Sequence, residues 1–339
     1  IIRFVKRMPL ASVFENEYGL QTSSDGQKWI VAYDSLNANR SFKYGGKDLV
    51  VAAYTFIDAR GLFSYSTVIS GAAREAHYMI DGLLRNDVVR SDMHSTDTHG
   101  YTEAVFGATD LLKFAFAPRI KNVGKRTLYS FRNPSYYKRK KYPILPKAKL
   151  KIALIQKHWD DILRLVVSMK LGQVTASQIF KRLNSYSISH NPLYEALREF
   201  GRISKTLYIL RYADDVDMRK AVHKQLNKGE SGNKLDKALA IGRLEYSQTL
   251  KEDQEIAESC KRLLKNAVVC WNYMYLSQKL KHCDNIVERA LLLKKIKASS
   301  LLAWEHFVFH GEFDFSDERL KDSRNFDFDS LLDPDIIKE

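Results

Sequence analysis

Leu49-Val-Val-Ala-Ala-Tyr-Thr-Phe-Ile57, Asp58-Ala-Arg-Gly61 and Leu62-Phe-Ser-Tyr-Ser-Thr-Val-Ile69 follow one another without a break. Two runs rich in β-branched and aromatic residues flank a four-residue stretch that ends in glycine, the pattern of an antiparallel hairpin. Upstream, Gly19 to Ser24 reads as a short strand that Lys28 to Tyr33 extends or follows. Downstream, Ala76, Met79, Ile80, Leu83 and Leu84 fall on one face at helical spacing. Met93 to Asp97 reads as a further strand, Thr102 to Phe114 as a second helix, and Phe116 to Ile120 as a fifth strand.

Strand, hairpin, strand, helix, strand, helix, strand is the order of an RNase H-like α/β core with a mixed sheet. The first and fourth strands are then central neighbours, about 4.8 Å apart. Beyond Lys121, Pro134, Pro143 and Pro146 argue for extended or looped chain rather than helix. Helical patterns follow at His158 to Leu171 and Thr175 to Asn184. Another opens at Asn191-Pro192, with Leu193, Leu197, Phe200, Ile203, Leu207 and Leu210 as its expected apolar side. A helix opening at Asp214-Asp215 passes through Glu230 to about Leu244. Long helices from about Asp253 to Leu280 and from Asp284 to Ile296 complete the pattern.

The expected organisation is an α/β core over 1–122, a basic segment and helical insertion over 123–213, and a helix carrying Glu230 that completes the core over 214–250. C-terminal helices follow over 251–311, then an acidic tail over 312–339 expected to be disordered or peripherally docked. The chain begins without Met, and the expectation is a piece of a longer protein.

The 339 residues carry a formal charge of +14, and its location is informative. Between Leu111 and Trp159 there are fourteen Lys and Arg and no Asp or Glu; the rest balances at forty against forty, so this segment holds the whole excess. Tyr129, Phe131, Tyr136, Tyr137 and Tyr142 are interleaved with the charge. Cations neutralise phosphates and aromatic rings stack on unpaired bases, which points to DNA as partner. A solvated loop with structural aromatics is the alternative. No apolar run approaches the roughly 18–20 residues of a membrane span, no phosphate-cradling Gly-Lys-Ser/Thr loop suggests a nucleotide cofactor, and a cytoplasmic setting is expected. Cys260, Cys270 and Cys283 form no paired metal motif and read as buried free thiols.

Three acids in three local settings carry the chemistry: Asp25 in Ser-Ser-Asp-Gly-Gln, Asp97 in Ser-Thr-Asp-Thr-His-Gly and Glu230 in Asn-Lys-Gly-Glu. Converging carboxylates make a hard-oxygen site for Mg²⁺, with Mn²⁺ as a substitute. Singly, Asp25 before Gly26 suits a tight turn, Asp97 a loop or helix cap, and Glu230 a solvated helix face. His94, Asp97 and His99 suggest a transition-metal site, but strand alternation turns His94 to the opposite face from Asp97. Asn227 and Lys234 flank Glu230 at helical spacing, with His223 and Lys237 seven residues away on nearly the same side. Lys228, Lys234 and Lys237 are candidate phosphate contacts near the site; Arg119, Lys121, Lys125, Arg126, Lys138 and Arg139 are candidates along a groove.

The strings Ser24-Asp-Gly26, Tyr54-Thr-Phe56, Asp81-Gly-Leu-Leu84, Thr96-Asp-Thr-His-Gly100 and Phe116-Ala-Pro-Arg-Ile120 come in this order. His158-Trp-Asp-Asp-Ile-Leu-Arg164, Asn227-Lys-Gly-Glu230 and Trp304-Glu-His306 follow. Together they resemble the catalytic region of the Tn-three family of replicative bacterial transposases, over about residues 20–311. The resemblance implies a DDE enzyme in which Asp25, Asp97 and Glu230 are the catalytic, metal-holding Asp, Asp and Glu. The 132 residues between the last two would hold a largely helical insertion. It also implies two Mg²⁺ ions, nicking at transposon 3′ ends and transfer of the 3′-hydroxyl into target DNA. A homodimer is implied for the longer protein, whose end-recognising N-terminal regions lie outside this chain. Rival expectations are an RNase H-like nuclease or resolvase without strand transfer, and an inactive remnant that only binds nucleic acid.

Overall fold

The computed structural model describes residues 1–40, 46–185, 191–240, 245–309, 311–312, 314, 316–318 and 327–337. It is a mixed α/β chain. In chain order the elements are α1 (Ile2–Val5), β1 (Gln21–Val31), β2 (Asn39–Arg40), β3 (Leu49–Asp58), β4 (Phe63–Ser70), α2 (Glu75–Arg85), β5 (Met93–Ser95) and α3 (Glu103–Leu111). Then come β6 (Tyr129–Ser130), α4 (Pro134–Arg139), β7 (Ala148–Lys149), α5 (Ile152–Lys157), α6 (Trp159–Lys170), α7 (Ala176–Ser185) and α8 (Pro192–Asp214). The series ends with α9 (Val216–Leu239), β8 (Glu245–Tyr246), α10 (Lys251–Lys281) and α11 (Ile286–Ala298).

Two compact units emerge, one of residues 1–20, 26–73 and 227–339, the other of 21–25 and 74–226. They cut across the five consecutive blocks expected from the sequence, and both β1 and α9 contribute residues to each.

In the first unit the hairpin forms as read: β3 and β4 pair antiparallel from Val51↔Ser70 to Ile57↔Phe63, with an irregularity between Phe56 and Ile57. Its turn is held by Asp58, whose Oδ1 accepts from the backbone N–H groups of Arg60 and Leu62 while Oδ2 takes the Arg60 guanidinium. Gly61 has φ +87, a left-handed value that costs glycine little. On the sheet, β3 neighbours β1, and β8 pairs parallel with β1 at Ile30↔Glu245. Trp29, Val31, Val51, Ala53, Val68 and Tyr246 form one buried cluster there. Helix α10 is tied to β4 through Asn266, which accepts from the Phe63 N–H and donates to its carbonyl.

Where it is described, part of the acidic tail packs against the rest of the first unit. Phe328–Leu331 is a short helix, Leu331 and Ile336 are buried, and Phe328 meets Phe4 edge-on at 5.8 Å. Residues 313, 315, 319–326 and 338–339 of the tail lie outside the described residues.

In the second unit, Gln21–Ser23 of β1 pairs parallel with β5. The expected fifth strand is reduced to backbone bonds from segment 115–119 onto β5: His94 N to Ala115 O, Ala117 N to His94 O and Arg119 N to Thr96 O. Helix α3 crosses α8 so closely that a Cβ on Gly201 would lie 1.7 Å from the Glu103 carbonyl oxygen. That crossing rotates α8 away from its expected apolar side: Leu197, Gly201 and Ile209 are buried, but Leu207 and Leu210 are exposed. Asp81 caps α7, its carboxylate accepting from the N–H groups of Ala176 and Ser177. Helix α5 precedes α6 where no helix was expected, and proline at the first turn of α4 starts a helix inside the basic segment. The three cysteines are free, as expected, but none is buried and Cys260 is exposed. Residues 241–244, where the Glu230 helix was expected to end, lie outside the described residues.

Candidate active site

Asp25 is not a turn residue before Gly26 but the fifth of eleven residues in a continuous strand. Its neighbours explain why. Thr22 and Ser24 side chains alternate onto one face of β1, and the His94 ring of β5 bridges them: Thr22 Oγ1 lies 2.7 Å from Nδ1 and Ser24 Oγ 2.9 Å from Nε2. With both ring nitrogens engaged and the ring wholly buried, desolvation lowers the His94 pKa to about 3. It is a neutral clamp between two strands. The transition-metal alternative built on His94, Asp97 and His99 therefore has no geometry behind it; His99 is exposed.

The other face carries the candidate acid Asp25. The parallel register sets Ser23 opposite Ser95, where the ladder ends. Strand alternation puts Asp25 on the face of Ser23, and Asp97 follows two residues after Ser95. Ser23 Oγ donates to the Gln225 carbonyl (3.3 Å), and Gln225 Nε2 donates back to Ser23 Oγ (3.2 Å), so the first half of α9 covers this face. Sequence reasoning missed Gln225; a buried glutamine in a helix otherwise rich in charge was the available signal.

Asp97 begins a tight turn. Its Oδ1 accepts from the N–H groups of His99 (2.9 Å) and Gly100 (3.0 Å). Gly100 is required for space, because a Cβ there would sit 2.5 Å from Thr96 Cβ. Both aspartates are partly exposed, Asp25 within β1 and Asp97 two residues past β5. Arg119 is fixed beside them by its backbone: its N–H bonds Thr96 O at 2.9 Å, and the Thr98 hydroxyl donates to Arg119 O at 3.3 Å.

Glu230 lies on the second half of α9, in the other compact unit, and its side chain is exposed. His223, Asn227, Lys234 and Lys237 are exposed as well, so the expected stripe exists. Lys228 departs from expectation. It is 7% exposed, its ammonium donates to the Ala59 carbonyl, and it sits 5.3 Å from the Phe14 ring centroid. A step of 200° from Glu230 along the helix turns it inward, so it is not an open phosphate contact.

Of the groove candidates, Lys121, Lys125, Lys138 and Arg139 are exposed, and Arg126 is anchored through Nε to Lys121 O. Of the interleaved aromatics, Tyr129, Tyr136 and Tyr137 have structural partners: Arg202 over Tyr129, Arg132 over Tyr136, and Tyr136 against Tyr137. Phe131 and Tyr142 remain exposed.

Among the described residues no group of three or more His, Cys, Asp and Glu stands ready to hold a metal. The candidate donors on this side are two carboxylates, Asp25 and Asp97. That suits Mg²⁺, which keeps several waters and is held by one or two carboxylates plus substrate phosphates, better than zinc. No helix among the described residues is long and apolar enough to cross a membrane.

The profile of the Tn3 transposase DDE domain matches residues 1–313. The chain is 34% identical over 308 residues to the transposase for transposon Tn1546 of Enterococcus faecium, covering 89% of this chain and 30% of that protein. It is 36% identical over 312 residues to the transposase for Tn501 of Pseudomonas aeruginosa, covering 90% and 31%. With the transposase for Tn3926 of Escherichia coli it shares 36% over 300 residues, covering 87% and 30%. The chain thus spans about a third of the length of these relatives.

Proposed function

The chain belongs to the Tn3 transposase DDE domain family, and we propose that it is the catalytic part of a DNA transposase, nicking DNA and joining the freed 3′-hydroxyl to a target. The observation that most supports this reading is the parallel β1–β5 register, which ends at Ser23↔Ser95, two residues short of Asp25 and Asp97. The RNase H-like reading of the sheet is supported by its hydrogen-bonded order, β4-β3-β1-β5 with segment 115–119 beyond β5.

In this reading Asp25, Asp97 and Glu230 are the acidic triad, and the two aspartates would hold Mg²⁺. Bound divalent cations supply Lewis-acid stabilisation of the scissile phosphate and lower the pKa of an attacking water. The chain's own residues do the rest. The β1–β5 ladder fixes the separation of Asp25 and Asp97, and the His94 clamp keeps that separation from breathing. The turn bonds on Asp97 Oδ1 hold one oxygen and aim the other. Arg119 meets the phosphate alongside Asp97, Lys234 and Lys237 flank Glu230, and Lys121, Lys125, Arg126, Lys138 and Arg139 hold the duplex backbone. No protein nucleophile is required: the entering group is water in the first step and the DNA 3′-hydroxyl in the second. DNA ends and target DNA are the partners, a homodimer is the expected assembly of the longer protein, and the cytoplasm is the setting.

The test is a plasmid-nicking assay with and without Mg²⁺, run beside joining of a pre-nicked 3′-hydroxyl end to a target duplex. Nicking and joining that both vanish in Asp97→Asn support the reading. Nicking without joining would make the protein a nuclease, and duplex binding without either would make it a binding remnant.

A further inference from the structure

The motif Trp304-Glu-His306 takes no part in the reactions above, yet its last residue, His306, lines a cleft. The cleft measures about 590 Å³ and lies between α10 and the segment after α11, lined by Trp271, Tyr275, Ser300, Ala303 and His306 among others. Its walls are built rather than incidental. Asn272 is buried, and its Nδ2 donates to the carbonyls of Leu301 (2.9 Å) and Ala303 (2.7 Å), pinning the loop against the helix. Leu302 reaches to 3.7 Å from where a Cβ on Gly232 would sit, so the same loop packs beneath the Glu230 half of α9.

The chemistry of the cleft is specific. Trp271 and Tyr275 are one helical turn apart on α10, and Lys279, one turn further on, holds its ammonium 5.5 Å from the Tyr275 ring centroid. Two aromatic side chains lining one wall, followed by a cation, match a base followed by its phosphate. Next to the lining residue His306, the Glu305 carboxyl is held below its usual range, chiefly by backbone N–H groups of Glu305 and Trp304 and further by the charges of His306 and Lys234. Lys234, on the exposed stripe of α9, is therefore within electrostatic reach of this loop. Lys279 thus sits over one aromatic wall residue of a cleft whose volume falls within the usual range for small-ligand sites.

We propose that this cleft takes an unpaired nucleobase of the DNA substrate, stacked on Trp271 and Tyr275, with its phosphate against Lys279. The inference rests on the DNA-processing reading and adds a binding site to it. Holding one base out of the duplex would fix the strand that passes Glu230, at an unstacking cost of a few kcal/mol that is smallest where the base is already unpaired.

The experiment uses the whole chain with duplexes carrying a single unpaired 2-aminopurine, either as an overhang or opposite an abasic position, beside the same duplex fully paired. Wild type should quench the unpaired probe and bind that DNA more tightly than the paired one. The double variant Trp271→Ala/Tyr275→Ala should lose the quench and roughly tenfold or more of that preference while binding paired duplex unchanged. Trp271→Phe/Tyr275→Phe should keep both. Intact duplex binding and nicking, with a probe that is never quenched or is quenched equally in the alanine variant, would overturn the base site alone. Wild type that neither binds nor nicks DNA would overturn the DNA reading with it.

Discussion

The acid-bearing end of β1 and β5 and the basic segment from Leu111 to Trp159 belong to the same compact unit, and they are held in opposite ways. Every residue around Asp25 and Asp97 is fixed by something specific: a parallel ladder, a buried histidine bridging two strands, a turn closed on a carboxylate oxygen, a glutamine from α9. The basic segment has two short paired strands, two six-residue helices and a string of aromatic contacts, with most of its cations in solvent. The contrast follows from the physics of each task. Displacing a metal-holding carboxylate by 1 Å costs large factors in rate. A lysine that neutralises a phosphate works through a screened field, and it tolerates loose placement.

The sharpest way to break the comparison is Asp97→Asn, which removes charge with almost no change of shape. Loss of an outer-shell partner of a metal ligand typically costs 10–100-fold, so loss of a ligand's charge should reduce Mg²⁺-dependent nicking by more than about a hundredfold. Thermal unfolding and duplex binding should stay near wild type. Retained nicking would remove Asp97 from the site. Gly100→Ala comes next. Its methyl would be forced to 2.5 Å from Thr96 Cβ, and overpacking of this kind costs about 1–3 kcal/mol. The expected outcome is a lowered unfolding midpoint together with nicking well below wild type, since the turn that aims Asp97 must shift. Unaltered nicking would mean that the turn does not position the carboxylate.

Acid should separate the two regions without any mutation. Burial lowers the His94 pKa to about 3, and burial followed by the charge of Arg74 lowers that of His77 to about 4. Both are depressed below the unfolded value near 6.5, so the unfolded chain binds protons that the folded chain refuses. The stabilisation is complete above about pH 6.5 and is lost as pH falls toward 4 and 3, at about 1.4 kcal/mol per pH unit for each histidine at most. Denaturant midpoints measured from pH 7.5 to 5 should fall accordingly, and His94→Gln should flatten the lower part of that curve. A pH-independent midpoint would mean that His94 is not buried neutral between the strands.

How much of this could be read in advance depended on range. The hairpin was legible because Asp58-Ala-Arg-Gly61 writes its own turn, and α9 because Asp215 caps it, accepting from the Met218 N–H at 2.7 Å. The continuity of β1 through Asp25-Gly26 was hidden: a local Asp-Gly signal favours a turn, and only pairing on both sides, to β5 and to β8, holds it extended. The buried side of α8 was misread because Gly107 and Gly201 let backbones touch, a packing choice that apolar periodicity does not encode. Lys228 was misread for the same reason, since charge type says nothing about the Ala59 carbonyl waiting inside.

The smallest effect sharpens the comparison most. Lys138 is exposed on α4, among cations that have no acid in their own segment. If it neutralises one phosphate, Lys138→Ala should weaken binding to all duplexes alike and lower the slope of log Kd against log salt by about one. Nicking of bound DNA should be unchanged at saturation, because the acids do not feel a screened charge in the loop. A drop confined to one sequence would make Lys138 a base contact instead. A drop in the saturated nicking rate would mean that the loosely held segment positions the scissile phosphate after all, and the division between clamped chemistry and loose attraction would have to be redrawn.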